Sequence, residues 1–127
     1  MLDQELLDAA ENNDVDAMQR LIDQGADVNA KDKYGTSPLY KAISLGHMVA
    51  AQLCLKHGAD VNVRDAYGNS PLTEAVRFGD IEAVKLLFEH GADPYDTREE
   101  YHGIKNIQNE TSSELELQRM ISSTSNV

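Results

Sequence analysis

The sequence has few of the residues that mark secreted, membrane-bound or catalytic proteins. Among 127 residues there is one cysteine, Cys54, so no internal disulfide can form and we expect a reducing, cytoplasmic environment. The N-terminal residues are acidic and lack the apolar core of a signal peptide. No stretch reaches the roughly 20 apolar residues of a membrane span. Tryptophan is absent and aromatic residues make up 6% of the chain, which favours small, closely packed helices.

Basic residues are also scarce, and they are unevenly distributed. The net charge of −11 argues against general binding to nucleic acids or anionic membranes. Residues 1–30 contain eight acids and one base, and residues 80–127 contain ten acids and four bases. Residues 31–79 differ, because they contain four acids and six bases. One interpretation is simply a soluble acidic protein. The other is that the acidic ends attract a basic partner, or that the middle segment meets an acidic one.

A repeat of 33 residues dominates what the sequence does contain. The letters YGTSPL at 34–39 return as YGNSPL at 67–72, and residues 34–62 share 13 of 29 positions with residues 67–95. Repeats of this length bury their core between neighbours and leave a long open surface. Such a surface is typical of binding proteins rather than of enzymes with deep pockets.

Each unit predicts two short helices followed by a turn. In the second unit, Ser37 is a suitable N-cap, Pro38 suits the first helical position, and Gly46 can end the helix in a left-handed conformation. A second helix is predicted over about 48–57 and ends at Gly58. Apolar residues recur three and four positions apart in both helices, so each helix has one side suited to burial.

These residues and spacings resemble the ankyrin repeat, whose pattern includes Thr-Pro-Leu-His and a closing Gly-Ala-Asp-Val-Asn. In this sequence the two motifs read SPLY at 37–40 and GADVN at 58–62. The resemblance covers about residues 3–95 and implies an all-α solenoid of paired antiparallel helices joined by short turns. The first unit lacks the Ser-Pro start, as expected of a repeat at the end of a stack. The three repeats fall at about 1–30, 31–63 and 64–95.

Residues 96–127 match the repeat less well. At the 33-residue offset, Leu117, Met120 and Ile121 fall on apolar helix positions of the third repeat, and with a one-residue slip Ile104 and Ile107 do so as well. This favours a divergent fourth repeat that caps the stack, with helices near 103–109 and 113–122 and a frayed end. An isolated helix or a disordered tail is the alternative.

The resemblance implies that a partner binds the concave face, made by the turns and the exposed side of each first helix. In this sequence the predicted surface comprises Lys31, Lys33, Tyr34, Thr36, Lys41, Ser44 and Leu45 in the second repeat, and Arg64, Ala66, Tyr67, Asn69, Glu74, Arg77 and Phe78 in the third. Five of the six bases in the middle segment belong to it, beside aromatic and apolar side chains of the kind that dominate binding energy. This pattern favours a partner segment with acidic and apolar residues. The alternative is that the tyrosines only pack the turns and the lysines only keep them solvated.

The sequence therefore predicts a non-catalytic protein–protein interaction module, an adaptor or scaffold that is monomeric when free. A second hypothesis stays open, because a small acidic chain could be an inhibitor or immunity-type protein that blocks a basic enzyme or toxin. No catalytic residues, cofactor or metal site are predicted. Cys54 aligns with core leucines, while His57 and His90 precede helix-ending glycines and can meet the last carbonyl groups of their helices.

Overall fold

The computed structural model describes residues 1–93, which form six helices joined by turns. The helices are α1 (Leu2–Glu11), α2 (Val15–Asp23), α3 (Pro38–Leu45), α4 (Met48–Lys56), α5 (Pro71–Phe78) and α6 (Ile81–Glu89). They make three helix pairs at the predicted 33-residue spacing, and the described part of the chain contains no strand. The predicted all-α stack is confirmed. The capping repeat predicted for residues 96–127 lies outside the described residues.

The first helices of the pairs form one layer and the second helices form another. Helix α3 packs against α1 on one side and α5 on the other, while α2 packs against α4. The core between the layers consists of small and medium aliphatic side chains; fully buried examples are Leu6, Met18, Leu39, Leu72 and Leu87. Because these residues are buried by neighbouring repeats as well as by their own, the stack is stabilised between repeats as well as within them.

Four of the six helices within residues 1–93 start at a capping side chain, and Ser37, the cap predicted for α3, is one of them. The side-chain oxygens of Ser37 and Ser70 accept hydrogen bonds from backbone N–H groups in the first turns of α3 and α5, at 3.1 and 3.2 Å. Asp14 and Asp80 cap α2 and α6 in the same way, at 3.1 Å each. Each such cap stabilises its helix by about 1 kcal/mol. All four caps were predictable from residue type and position.

Side-chain oxygens also join each repeat to the one before it. Oδ1 of Asn29 accepts the N–H of Asp60 at 2.7 Å, and Oδ1 of Asn62 makes the equivalent bond to the third repeat at 3.2 Å. In the first repeat, Oδ1 of Asp3 on α1 takes this place and accepts the N–H of Asp27 at 2.9 Å. The same backbone group in all three repeats is therefore bonded to a side chain that precedes it in the sequence.

Candidate protein-binding surface

Turns with the same internal bonding precede α3 and α5; they comprise residues 31–36 and 64–69. In the first turn, one carboxylate oxygen of Asp32 accepts the N–H groups of Tyr34 and Thr36, at 2.9 and 3.0 Å. The other oxygen accepts the Thr36 hydroxyl at 2.6 Å. Asp65 makes the equivalent backbone bonds in the second turn, at 2.9 Å each. These bonds hold the tyrosine of each turn in a defined place on the backbone.

Backbone contacts hold the two turns side by side. The N–H of Ala66 donates to the carbonyl oxygen of Tyr34 at 2.9 Å. Gly35 permits this approach, because its φ is +77° and a Cβ atom there would lie 2.7 Å from the nitrogen of Ala66. Nζ of Lys31 adds a 3.3 Å bond to the carbonyl oxygen of Arg64. The second and third repeats therefore present their turns at a fixed separation.

Four residues of the predicted surface are large apolar or aromatic side chains that are exposed. The exposed fraction is 52% for Tyr34 and 69% for Tyr67, which occupy equivalent places in the two turns. It is 51% for Leu45 and 61% for Phe78, the last residues of α3 and α5. Because the same two positions are exposed and apolar in both repeats, these side chains form a repeated pattern rather than isolated exceptions.

Basic residues of the turns present charge to solvent. Lys31 and Lys33 are both exposed. Nζ of Lys33 lies 5.2 Å from the centre of the Tyr34 ring, a cation–π contact that leaves the ammonium charge in place. Arg64 is exposed as well, and its Nη1 donates to the carbonyl oxygen of Gly68 at 2.8 Å. The turns are therefore positively charged at these side chains.

In contrast, the basic side chains of α3 and α5 form ion pairs with carboxylates of the protein itself. Nζ of Lys41 lies 3.2 Å from a carboxylate oxygen of Asp32 and 3.6 Å from one of Glu11 in the first repeat. Nη1 of Arg77 lies 3.1 Å from Oε1 of Glu74. These pairs neutralise much of the field that the two basic residues would otherwise exert on a partner.

The Asp32 carboxylate and the Tyr40 phenol have strongly shifted pKa values. Partial burial acts to raise the pKa of Asp32, but hydrogen bonds from Thr36, from turn N–H groups and from Lys41 outweigh it and lower the pKa to about 2. Burial, followed by the hydrogen bond to Glu74, raises the pKa of Tyr40 far above its ordinary value. At neutral pH the carboxylate is thus ionised and the phenol is a permanent donor.

A family model for ankyrin repeats matches residues 6–98 as three copies. The chain belongs to the ankyrin-repeat family. The match confirms the family and the all-α solenoid expected from the sequence. Ankyrin repeats are generally protein–protein interaction modules, and proteins of this family are typically non-catalytic. No curated protein matches the sequence.

Two positions mapped to the ankyrin contact surface are buried. Asn69 is 8% exposed, and its Nδ2 donates to Asp65 at 3.4 Å within its own turn. Glu74 is 4% exposed and accepts the hydroxyl of Tyr40 at 2.8 Å. The expectation that these two side chains would be exposed is therefore wrong, because both use their polar groups within the stack. Thr36 is half-buried for a similar reason, since its hydroxyl bonds within the turn.

Side chains with possible catalytic or metal-binding chemistry have structural places in this ankyrin stack. Cys54 is fully buried, as predicted, and burial raises the pKa of its thiol to about 12. Nδ1 of His90 donates to the carbonyl oxygen of Leu86 at 3.0 Å, which is the predicted helix-end contact. His57 does not make the predicted contact, and within residues 1–93 its Nε2 is buried without a hydrogen-bond partner. Nε2 of His47 donates instead to the carbonyl oxygen of Glu11 at 3.2 Å. Residues 1–93 contain no group of three His, Cys, Asp or Glu side chains placed to share a metal ion.

Val49 in the first turn of α4 is 60% exposed, although the equivalent residues Asp16 and Glu82 are polar. Alignment of the three repeats at this position would have revealed it as an unusual exposed apolar residue.

None of the helices within residues 1–93 has the length and apolar character needed to cross a membrane.

Proposed function

We propose that this ankyrin-repeat protein binds a specific protein partner through its first-helix face, without catalysing a reaction, and serves as an adaptor or scaffold. The first-helix face comprises turn residues 31–36 and 64–69 together with the exposed residues at the ends of α3 and α5. One observation carries the proposal: an exposed turn tyrosine and an exposed apolar helix end recur together in two adjacent repeats.

The rigidity of this face supports a binding role. Hydrogen bonds inside each turn and the Ala66–Tyr34 backbone bond fix the turns before any partner arrives. A surface that is already ordered loses less conformational entropy on binding, so a small contact area can reach useful affinity. Aromatic side chains such as Tyr67 and Phe78 provide the large apolar contact areas on which binding hot spots depend.

The proposal can be tested with a photo-crosslinking amino acid introduced in place of Tyr67 in the full-length protein. We expect the natural partner in a native extract to be crosslinked there, and not from the same group placed at Val49 on α4. For the isolated partner, Tyr67→Ala with Phe78→Ala should weaken binding about tenfold or more, with the unfolding curve little changed. Val49→Ala is the matched control. A partner that binds the double variant as tightly as the native protein would overturn the proposal.

A second candidate function is inhibition of a basic enzyme or toxin. It is favoured by the exposed acids of the first repeat, which are Asp3, Glu5, Asp8, Glu11, Asp14 and Asp16. This candidate predicts one tight complex whose association slows steeply as salt rises. It also predicts that Tyr67→Ala with Phe78→Ala leaves binding intact, whereas replacement of acids on α1 and α2 by glutamine or asparagine weakens it. The two variant sets therefore separate the candidates.

A further inference from the structure

Lys33 and Tyr34 are adjacent in the turn of the second repeat, and both are exposed. Nζ of Lys33 lies 5.2 Å from the centre of the Tyr34 ring. A cation–π contact attracts the ammonium group to the ring but does not neutralise its charge. A partner that packs against the Tyr34 ring therefore also comes close to the positive charge of Lys33.

Lys31 brings a second ammonium group to the place where the two turns meet. It is exposed, and its Nζ donates to the carbonyl oxygen of Arg64 at 3.3 Å, in the turn that carries Tyr67. An ammonium group has three N–H donors, and a bond to a neutral carbonyl oxygen leaves its charge in place. The positive charge of Lys31 therefore adjoins the turn of the third repeat.

Carboxylates within residues 1–93 do not neutralise these two lysines. Asp32 stands between them in the sequence, but its two oxygens accept three hydrogen bonds from the turn. One of these oxygens also lies 3.2 Å from Nζ of Lys41. Asp65 accepts bonds within its own turn in the same way. Neither Lys31 nor Lys33 forms an ion pair with a carboxylate in this part of the chain.

One exposed acid of the first repeat lies near this group of charges. Oε1 of Glu11 is 3.6 Å from Nζ of Lys41, which also pairs with Asp32. With Lys31 and Lys33, these residues comprise three bases and two acids, so the net charge of the group is positive. Because Lys41 and Asp32 are each only 17% exposed, the charges at the surface are those of Glu11 and the two turn lysines.

Contact with a partner would remove water from the ammonium groups of the turns. An ammonium group that is buried without a counter-ion loses its hydration, and this loss costs free energy. A carboxylate on the partner offsets that cost, because it accepts charge-assisted hydrogen bonds from lysine. Where a lysine stays solvated at the rim of the contact, the same attraction favours the encounter. Carboxylates on the partner are therefore favoured in both situations.

We infer that the partner places carboxylates of aspartate or glutamate against Lys31 and Lys33, beside apolar groups that cover the turn tyrosines. The inference rests on the proposed function and adds the chemistry of the partner's contact surface. The rest of the chain favours the same location, because residues 1–30 contain eight acids and one base. An acidic partner is repelled by the first repeat and is directed to the turns of the second and third.

The overall charge of the protein makes a local test necessary. The net charge of −11 repels an acidic partner at long range, whereas the turn lysines attract it at contact. Salt weakens both effects, so reversal of single charges identifies the contact more directly. Lys33→Glu and Lys31→Glu achieve this in the full-length protein. Lys56→Glu is the matched control, because Lys56 is exposed at the end of α4 and its reversal changes the net charge equally.

The measurement is the affinity of each variant for the natural partner identified by crosslinking at Tyr67. We expect Lys33→Glu and Lys31→Glu each to weaken binding about tenfold or more, while their urea unfolding curves stay close to that of the native protein. Lys56→Glu should change the affinity less than about threefold, because a charge outside the contact is screened by salt.

A charge swap identifies the partner's own contact residue. A photo-crosslinking amino acid in place of Tyr34 marks the partner residues that lie beside Lys33. We expect an aspartate or glutamate among them, and its replacement by lysine should weaken binding to the native protein. The same replacement should restore most of the affinity of the Lys33→Glu variant, because the ion pair is then reversed rather than broken. Damage to the fold of either protein would not produce such a restoration.

Four results would overturn the inference. Both lysine reversals could leave binding as tight as that of the native protein or tighter, the marked partner residues could be basic, or the charge swap could restore no affinity. The fourth is loss of binding when the partner is dephosphorylated, which would show that phosphate groups rather than carboxylates supply the negative charge.

Comparison of the variants separates this inference from the proposed function. If Tyr67→Ala with Phe78→Ala weakens binding while both lysine reversals do not, the inference fails and the proposed function stands. If the partner crosslinks only elsewhere on the protein, both fail.

Discussion

The hydroxyl of Tyr40 donates a 2.8 Å hydrogen bond to Oε1 of Glu74, one repeat further along the chain. Glu74 is almost completely buried, and the same oxygen lies 3.1 Å from Nη1 of Arg77. A buried carboxylate is thus held by one donor from the second repeat and one from the third. A side-chain link of this kind couples the stability of the two repeats.

Tyr40→Phe removes the donor and keeps the ring. We expect the free energy of unfolding to fall by about 1–3 kcal/mol, because the Glu74 carboxylate stays desolvated while it loses a hydrogen bond. Urea denaturation of the purified protein measures the change. Tyr34→Phe is the matched control, and since that ring is exposed we expect a change within about 0.5 kcal/mol. Similar losses in the two variants would show that the buried link contributes little.

Gly35→Ala tests the packing between turns. The new Cβ atom would lie 2.7 Å from the nitrogen of Ala66, and alanine in the left-handed region costs about 1–2 kcal/mol in addition. Gly68→Ala isolates the second effect, because φ there is +83° and a Cβ would meet nothing within 4 Å. We expect Gly35→Ala to lower the thermal midpoint more than Gly68→Ala does. Equal midpoints would argue against close contact between the turns.

Asp32 makes stability depend on pH in the acid range. Its pKa is lowered from 3.8 to about 2 on folding, so its contribution is complete above pH 4 and is lost as the pH falls from about 4 to about 2. Asp32→Asn should lower the free energy of unfolding by about 1–2 kcal/mol at pH 7. The difference between the native protein and this variant should shrink towards pH 2. Urea curves at several pH values provide the measurement, and a difference that grows on acidification would contradict the assignment.

The rate at which Cys54 reacts with a thiol reagent measures how readily the core opens. Its thiol is fully buried and its pKa is raised to about 12, so little thiolate is accessible in the folded protein. We expect a thiol reagent to label native protein at least about a thousandfold more slowly than protein in denaturant, because reaction requires opening of the structure. With one cysteine in the chain, the label has a single target. Rapid labelling under native conditions would mean that α4 is not packed as described.

Much of the fold follows from residue type and spacing. The serine and aspartate caps, the helix-ending glycines and the apolar sides of the helices repeat every 33 residues, and each acts within its own repeat. Local rules of this sort can be read directly from a sequence. The ankyrin resemblance, rather than periodicity, assigned Tyr34, Tyr67, Leu45 and Phe78 to the predicted contact surface, and all four are exposed.

Pairs formed between repeats were not predictable in this way. Alignment assigned Glu74 to the surface because Lys41 is its equivalent, but it could not show that Tyr40 would reach and cover it. Nor could it show that Glu11 would pair with Lys41. Such contacts depend on side-chain length and on the angle between stacked repeats, neither of which periodicity alone defines.

The hydrogen bond from the N–H of Asp27 to Oδ1 of Asp3 distinguishes the first repeat from the two that follow it. Within residues 1–93, the second and third repeats each donate this N–H to the asparagine of the repeat before, whereas the first repeat donates it to a side chain of its own first helix. If a further 33-residue unit were inserted after residue 63, its equivalent backbone N–H could donate to Oδ1 of Asn62. The asparagine of the inserted unit could then accept the N–H of the next repeat. A unit added ahead of α1 would have to compete with Asp3. The protein can therefore be lengthened from within, and each insertion would extend the first-helix face by one repeat.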